Sequence, residues 1–125
     1  MRRVEPHPKA DESATLTKAV LRAAALLGVT NKVLAKVIGV SEATVSRMDN
    51  GAYALQRREK AFELAVLFVR LFRSLDAIVA GDNAVAASWL KNHNTALDGE
   101  PLDLIQTVPG LMNAIAYLDA RRAIV

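Results

Sequence analysis

Apolar residues recur every three or four positions along most of the chain, a spacing typical of amphipathic helices. In the first half this pattern predicts three helices, over residues 17–27, 31–38 and 42–49. Glycines interrupt the pattern between them, and Ser41 is placed to cap the third helix. The second and third helices, joined by a tight turn at Gly39, have the spacing of a helix-turn-helix.

The second half of the chain continues the helical spacing. Residues 52–80 contain no Gly or Pro, so one long helix or two abutting helices are expected. The apolar run 64–69 could be a buried strand, but the charged residues on both sides continue without a turn signal, which favours a helix. Further helices are predicted over 83–91, over 101–107 and from Pro109 onwards, where proline suits a first turn.

The predicted fold is therefore all-α, with an N-terminal helix-turn-helix bundle, a long connecting helix and a small C-terminal helical domain. Four parts are expected: a flexible arm (1–15), a helix-turn-helix domain (16–54), a connecting or dimerisation region (55–80) and a C-terminal domain (81–125). The arm is predicted from its prolines and charges and its near lack of apolar side chains.

Composition narrows the possible functions. The 125 residues contain no cysteine, which excludes a disulfide scaffold or a thiolate metal site. His7 and His93 lack the spacing of metal ligands, and no nucleophile motif or phosphate-binding glycine run is present. We therefore expect no metal, no cofactor and no enzymatic activity. The longest apolar run is far shorter than the roughly 20 residues of a membrane span, so we expect a cytoplasmic protein without membrane association.

Charge is distributed unevenly along the chain. The formal net charge is +3, and the basic residues predominate in the first half whereas acidic residues predominate after position 80. This balance suits a polyanionic partner for the first half, such as DNA.

The helix-turn-helix segment offers a specific set of DNA contacts. Its apolar positions face inward, which leaves eight candidates on the outer side: Asn31, Lys32, Ser41, Glu42, Ala43, Thr44, Ser46 and Arg47. Arg47 can donate to guanine O6 and N7, Glu42 can accept from cytosine N4, and Ala43 can contact a thymine methyl group. The other polar residues suit phosphate contacts.

One such motif reads only a few base pairs, so two copies on a palindromic operator are expected. The apolar surface of residues 61–79 wraps most of a helix and must be covered on several sides. Candidate homodimer contacts are Phe62, Leu67, Phe68, Leu71 and Phe72. The other interpretation is that these residues belong to the chain's own core.

Two stretches resemble known families. The stretch LAKVIGVSEATVSRMDNG resembles the Xre/Cro-type helix-turn-helix. Residues 89–118 are similar to the toxin-binding domain of Xre/ParS/MbcA antitoxins, which typically has a Trp-Leu pair, an Asn-containing loop, a turn with Leu, Gly and Pro, and a Thr closely followed by Gly. Here these are Trp89-Leu90, Asn92, residues 97–101, and Thr107 with Gly110.

The resemblance implies a type II antitoxin that neutralises an NAD-degrading RES-domain toxin and represses their shared operon. It also implies that Asn31, Glu42, Ala43 and Arg47 contact bases or the DNA backbone. We expect the tail to contact the toxin, with Arg121 and Arg122 entering a cleft that admits the pyrophosphate of NAD; the tail candidates are Arg121, Arg122, Ile124 and Val125. A stand-alone dimeric Xre/Cro-type repressor and a protein-binding adaptor with a degenerate helix-turn-helix remain as alternatives.

Overall fold

The computed structural model describes the backbone of residues 8–124 and the side chains of residues 11–123. Over this range the chain forms seven α-helices: α1 (Pro8–Leu26), α2 (Asn31–Ile38), α3 (Glu42–Asp49), α4 (Lys60–Ile78), α5 (Asn83–Lys91), α6 (Pro101–Leu104) and α7 (Val108–Ile124). Within the described residues, extended backbone pairs only at an isolated bridge between Asn94 and Gly99. The all-α prediction is confirmed, including the helical conformation of residues 64–69.

The first helix begins earlier than the sequence predicts. Residues 8–15 belong to α1, so the flexible-arm prediction is wrong for them, while residues 1–7 of that arm lie outside the described residues. The polar residues Ser13 and Thr17 are buried, and the Thr17 hydroxyl donates to the Ser13 carbonyl at 2.6 Å. This internal hydrogen bond lets polar side chains occupy the inner face of a helix.

The fourth helix begins later than predicted, because residues 52–59 form a loop. The amide of Leu55, a buried residue, donates to Thr17 Oγ1 at 2.9 Å. Glu59 accepts hydrogen bonds from the Tyr53 hydroxyl and from the Gln56 amide. The first of these bonds raises the pKa of Tyr53 above its ordinary value. Two backbone amides of the loop thus have side-chain acceptors, Leu55 in Thr17 of α1 and Gln56 in Glu59 of the loop itself.

Helix α4 lies at the centre of the molecule and packs against α1, α2, α5 and α7. Near its start, Leu64 lies below the turn between α2 and α3, 3.7 Å from where a Cβ would stand at Gly39. In its second half, Arg70 and Ser74 donate hydrogen bonds to Asp119 of α7 at 2.5 and 2.7 Å. The buried apolar residues from α1 to α7 form one continuous core. The two ends of the protein are therefore joined by a shared helix.

The C-terminal helices begin at, or within one residue of, their predicted first residues. Asp82 caps α5 by accepting from the Val85 amide at 3.2 Å. Proline begins α6 as predicted, but this helix ends at Leu104 and not at Thr107. Thr107 instead caps α7: its Oγ1 accepts from the Gly110 amide at 3.1 Å and its carbonyl accepts from Leu111. The inner face of α7 is formed by Leu111, Ile115 and Leu118, which are all buried.

Candidate functional site

The α2–α3 unit has the geometry of a helix-turn-helix. Gly39 ends α2 in the left-handed conformation, with φ of 75°, which a residue without Cβ adopts without strain. Ser41 caps α3 as predicted, because its hydroxyl accepts from the Thr44 amide at 3.1 Å. Val45 and Met48 are buried beneath α3, and Leu34 and Ala35 beneath α2. The local sequence therefore fixes the end of α2, the start of α3 and the buried side of each helix.

This packing leaves the predicted DNA-contacting residues on one accessible side. Seven of the eight candidates are exposed and Thr44 is half-buried; the exposed seven are Asn31, Lys32, Ser41, Glu42, Ala43, Ser46 and Arg47. Recognition helices read bases with residues near their N-terminus, and most of these candidates lie in the first two turns of α3.

Arg47 is held in place by a short chain of polar contacts along α3. Its Nη2 donates to Thr44 Oγ1 at 3.1 Å, and the Thr44 and Ser41 hydroxyls lie 2.8 Å apart. Among the described residues, no carboxylate lies within ion-pair distance of Arg47. Its charge is therefore available to a guanine edge or a phosphate.

The sequence analysis missed Asp49 and Thr30, which both lie near this surface. Asn31 Nδ2 donates to the carboxylate of Asp49 at 3.1 Å, which joins the start of α2 to the end of α3. An acidic residue in the last turn of a helix opposes the helix dipole, and this was a signal for a special role at Asp49. Thr30 caps α2 by accepting from the Val33 amide at 3.3 Å. Both contacts fix the N-terminal end of α2, which carries the predicted DNA contacts Asn31 and Lys32.

The C-terminal candidates divide between two places. The rings of Trp89 and Tyr117 are stacked with centroids 6.3 Å apart, and the Arg121 guanidinium lies 5.3 Å from the Tyr117 centroid. This cation–π contact holds Arg121 against the aromatic pair. Arg122 instead lines a groove between α1, α4 and α7. The side chain of Ile124 and the whole of Val125, also predicted to contact the toxin, lie outside the described residues.

The groove has a volume of about 1180 Å³ and a mixed lining. Arg70, Arg73 and Arg122 border it together with Asp119. The hydrogen bond from the Ser74 hydroxyl lowers the pKa of Asp119 most, and the Arg70 guanidinium lowers it further. Burial raises the pKa, but the value stays below the ordinary one. Asp119 is therefore a charged link between α4 and α7.

The predicted dimer contacts separate into core and surface. Phe68 and Leu71 are fully buried within the chain, so their prediction as dimer contacts is wrong: on α4 they face the inner helices. Phe62, Leu67 and Phe72 are half-buried. Phe62 and Leu67 border a surface depression of about 430 Å³ together with Arg57, Glu63 and the exposed Val66. Val66 was missed, although it lies one turn from Phe62.

The described residues contain no helix of the length and apolarity that a membrane crossing requires. Residues 11–123 also bring together no group of three potential metal ligands, and His93 is exposed.

A capped helix-turn-helix with an exposed outer side, joined through α4 to further helices, defines the class of helix-turn-helix proteins with an appended C-terminal helical domain. Comparison with protein families gives the particular family. Residues 6–70 match the antitoxin Xre-like helix-turn-helix domain, and residues 74–123 match the antitoxin Xre/MbcA/ParS C-terminal toxin-binding domain. The chain therefore belongs to the Xre-type antitoxin family. No curated protein matches it significantly.

Proposed function

We propose that this protein is the antitoxin of a type II toxin–antitoxin module, that it neutralises an NAD-degrading RES-domain toxin, and that it represses its own operon. The observation that carries the proposal is the combination, on one chain, of the exposed α3 face with a domain of the toxin-binding family. Both roles are binding roles, and we propose no catalytic activity. The protein would act in the cytoplasm, with its operator.

Operator binding is assigned to the exposed side of α2 and α3, with Arg47 as the principal base contact. Arg47 has no carboxylate partner among the described residues, and its hydrogen bond to Thr44 limits its rotamers. Removing one bidentate arginine–guanine contact costs about 1–3 kcal/mol, or roughly 5- to 150-fold in affinity. The remaining polar candidates, including Lys32 and Ser46, would bind phosphates and make the affinity depend steeply on salt.

The matched test compares Arg47→Ala with Arg73→Ala in a fluorescence-anisotropy titration of the operator. Both variants remove one positive charge, but Arg73 lies on α4 in the groove, away from α3. We expect only Arg47→Ala to weaken operator binding strongly and to relax base preference at one position. Equal effects of the two variants would mean that Arg47 acts through net charge alone.

Homodimerisation is assigned to the surface depression on α4. It is apolar at its centre, through Phe62, Val66 and Leu67, and its edge charges, Arg57 and Glu63, are already paired with Glu12 and Lys60. A two-fold axis brings the same patch of both subunits together, so the apolar centre can pack against its own copy without burying an unpaired charge. A dimer would place two recognition helices on the two halves of a palindrome.

The dimer is tested by light scattering of the purified chain at micromolar concentration. We expect a dimer for the wild type and for Val85→Glu, a similarly exposed valine on α5, and a monomer for Val66→Glu. A wild-type monomer would contradict the proposal.

Toxin neutralisation is tested by co-expression with the protein encoded beside this chain, followed by pull-down and measurement of NAD. Co-purification with preserved NAD supports the antitoxin role. Deletion of residues 121–125 should restore NAD loss while leaving operator binding intact, because the tail lies outside the helix-turn-helix. Operator binding without any bound neighbour would favour the stand-alone repressor, and full neutralisation by the truncated chain would refute the role of the tail.

A further inference from the structure

The groove between α1, α4 and α7 lies where the two matched segments of the chain meet. Helix α1 belongs to the first segment, α7 belongs to the second, and α4 runs from one into the other. Sites for small molecules are concave, have volumes of about 300–1,000 Å³ and occur preferentially where domains meet. The groove, with a volume of about 1180 Å³, has room for such a ligand.

Part of the groove lining is apolar and reaches solvent. Leu16 and Ala19 of α1 are half-buried. On α4, Val69 is buried, whereas Val66 is 46% exposed and Ala77 is exposed. Apolar surface that remains accessible inside a concavity gains free energy when an apolar group covers it.

Two acidic residues of the lining already have partners within the chain. Glu12 forms an ion pair with Arg57 at 2.7 Å, and Asp119 forms one with Arg70 at 2.5 Å. The carboxylate of Asp119 also accepts from the Ser74 hydroxyl at 2.7 Å. Neither carboxylate therefore needs a further cation from the groove.

Two arginines of the lining are left without such a partner. Among the described residues, neither Arg73 nor Arg122 has a carboxylate within ion-pair distance, and both are exposed. Arg122 lowers the pKa of Asp119, after Ser74 and Arg70, so its guanidinium lies within electrostatic range of that carboxylate. Asp76 is the remaining acid of the lining. The unpaired groups are thus two cations and one anion, which leaves the groove positive.

We propose that this groove binds a small amphipathic anion, whose apolar part packs against the aliphatic side chains and whose carboxylate or phosphate group is bound by Arg73 and Arg122. A guanidinium group can donate two parallel hydrogen bonds to either kind of head group. The apolar lining and the two unpaired arginines match the two ends of such a molecule. The proposal goes beyond the antitoxin function and does not depend on it, because the groove is formed by the chain alone.

Thermal unfolding of the purified chain with octanoate or octyl phosphate tests the site. A ligand that binds only the folded state should raise the Tm by about 6 °C at ten times its Kd for a chain of this size. A rise with one of the two anions would identify its head group as the preferred one. Inorganic phosphate lacks the apolar part and octylammonium lacks the negative charge, so neither should raise the Tm at the same concentration. No rise with either octyl anion, or an equal rise with either control compound, would overturn the inference.

Matched arginine variants test the head-group contacts by isothermal titration calorimetry with the octyl anion that raises the Tm. Arg73→Gln and Arg122→Gln should each weaken its binding by roughly tenfold, because a charged hydrogen-bond donor is lost. Arg22→Gln removes the same charge at an exposed position of α1 outside the groove, and it should bind like the wild type. Equal affinities for all three variants would overturn the inference.

Ala77→Phe fills the groove without changing its charge and identifies other occupants. We expect this variant to lose binding of the octyl anion, and to keep the oligomeric state of the wild type and its pull-down of the neighbouring protein. A changed oligomeric state would place a second copy of the chain in the groove, and a lost pull-down would place the neighbouring protein there. Either result would overturn the assignment to a small anion.

Discussion

Replacement of Gly110 by alanine should destabilise the protein, although the same change inside an ordinary helix is stabilising. A Cβ at this position would lie 1.8 Å from the Leu104 carbonyl oxygen and 3.0 Å from Thr107 Oγ1. The first of these atoms belongs to the backbone, so it cannot rotate away as the end of a flexible side chain can. The connection between α6 and α7 must shift, and with it the cap in which Gly110 donates to Thr107.

The expected magnitude follows from three contributions. Alanine is favoured over glycine in a helix by about 1 kcal/mol. Overpacking of a close contact costs about 1–3 kcal/mol, and loss of a threonine cap costs about 1 kcal/mol. The net destabilisation is therefore about 1–3 kcal/mol. For a chain of this size we expect the Tm to fall by about 4 °C for each kcal/mol, or about 4–12 °C in total.

Thermal unfolding followed by far-UV circular dichroism measures this effect, with Ala116→Gly as the control. Ala116 is exposed on the same helix, so its replacement should lower the Tm by about 4 °C through helix propensity alone. Gly110→Ala and Ala116→Gly exchange the same two residue types in opposite directions, so helix propensity alone cannot make both variants less stable than the wild type. An unchanged or higher Tm for Gly110→Ala would refute the packing argument.

Three further predictions concern buried or capping polar groups. Because the pKa of Asp119 is lowered in the folded state, its stabilising effect is present at neutral pH and is lost as the pH falls below the ordinary value of 3.8. The difference in urea midpoint between the wild type and Asp119→Asn should therefore be smaller at pH 3 than at pH 7. An equal difference at both pH values would contradict this prediction. Thr17→Val should lower the free energy of unfolding by about 1–3 kcal/mol, because the buried Leu55 amide loses its acceptor. A urea titration measures this loss, with Thr15→Val, at an exposed position, as the control. Equal urea midpoints for the two variants would be inconsistent with the hydrogen bond. Ser41→Ala should lower the free energy of unfolding by about 1 kcal/mol through loss of the α3 cap. It should also weaken operator binding, since the Ser41 hydroxyl contacts Thr44, which in turn accepts from Arg47. An unchanged operator affinity in the anisotropy titration would argue against this role of Ser41.

The helix-turn-helix was predictable from sequence because its signals are local. The turn at Gly39 and the cap at Ser41 act within four residues, and both helices have the predicted bounds. The exposed position of Arg47 follows from the same periodicity. Its hydrogen bond to Thr44 depends on side-chain conformations that periodicity does not determine.

The start of α1 and the loop before α4 depend on contacts distant in sequence. Ser13 and Thr17 look like solvated residues in the sequence, but the Thr17 hydroxyl donates to the Ser13 carbonyl and accepts from the amide of Leu55, 38 positions further along the chain. When this long-range hydrogen bond is not known, the proline and charges of residues 8–15 resemble a tail, and residues 52–59 resemble the beginning of a helix. The burial of Phe68 similarly depends on how many helices surround α4, which no local pattern gives.

The junction between the two matched domains has a consequence for the evolution of such proteins. The first match ends at residue 70 and the second begins at residue 74, so the junction falls inside α4, between Arg70 and Ser74, the two residues that hold Asp119. An exchange of domains between related genes at this point would join two halves of one helix. It would have to keep the helical register across the junction, so that the buried side of each half stays in line. It would also separate Leu64, which packs below the turn between α2 and α3, from the α7 helix that shares its core. We therefore expect operator preference and toxin preference to be inherited together, as one unit, rather than recombined like separate modules.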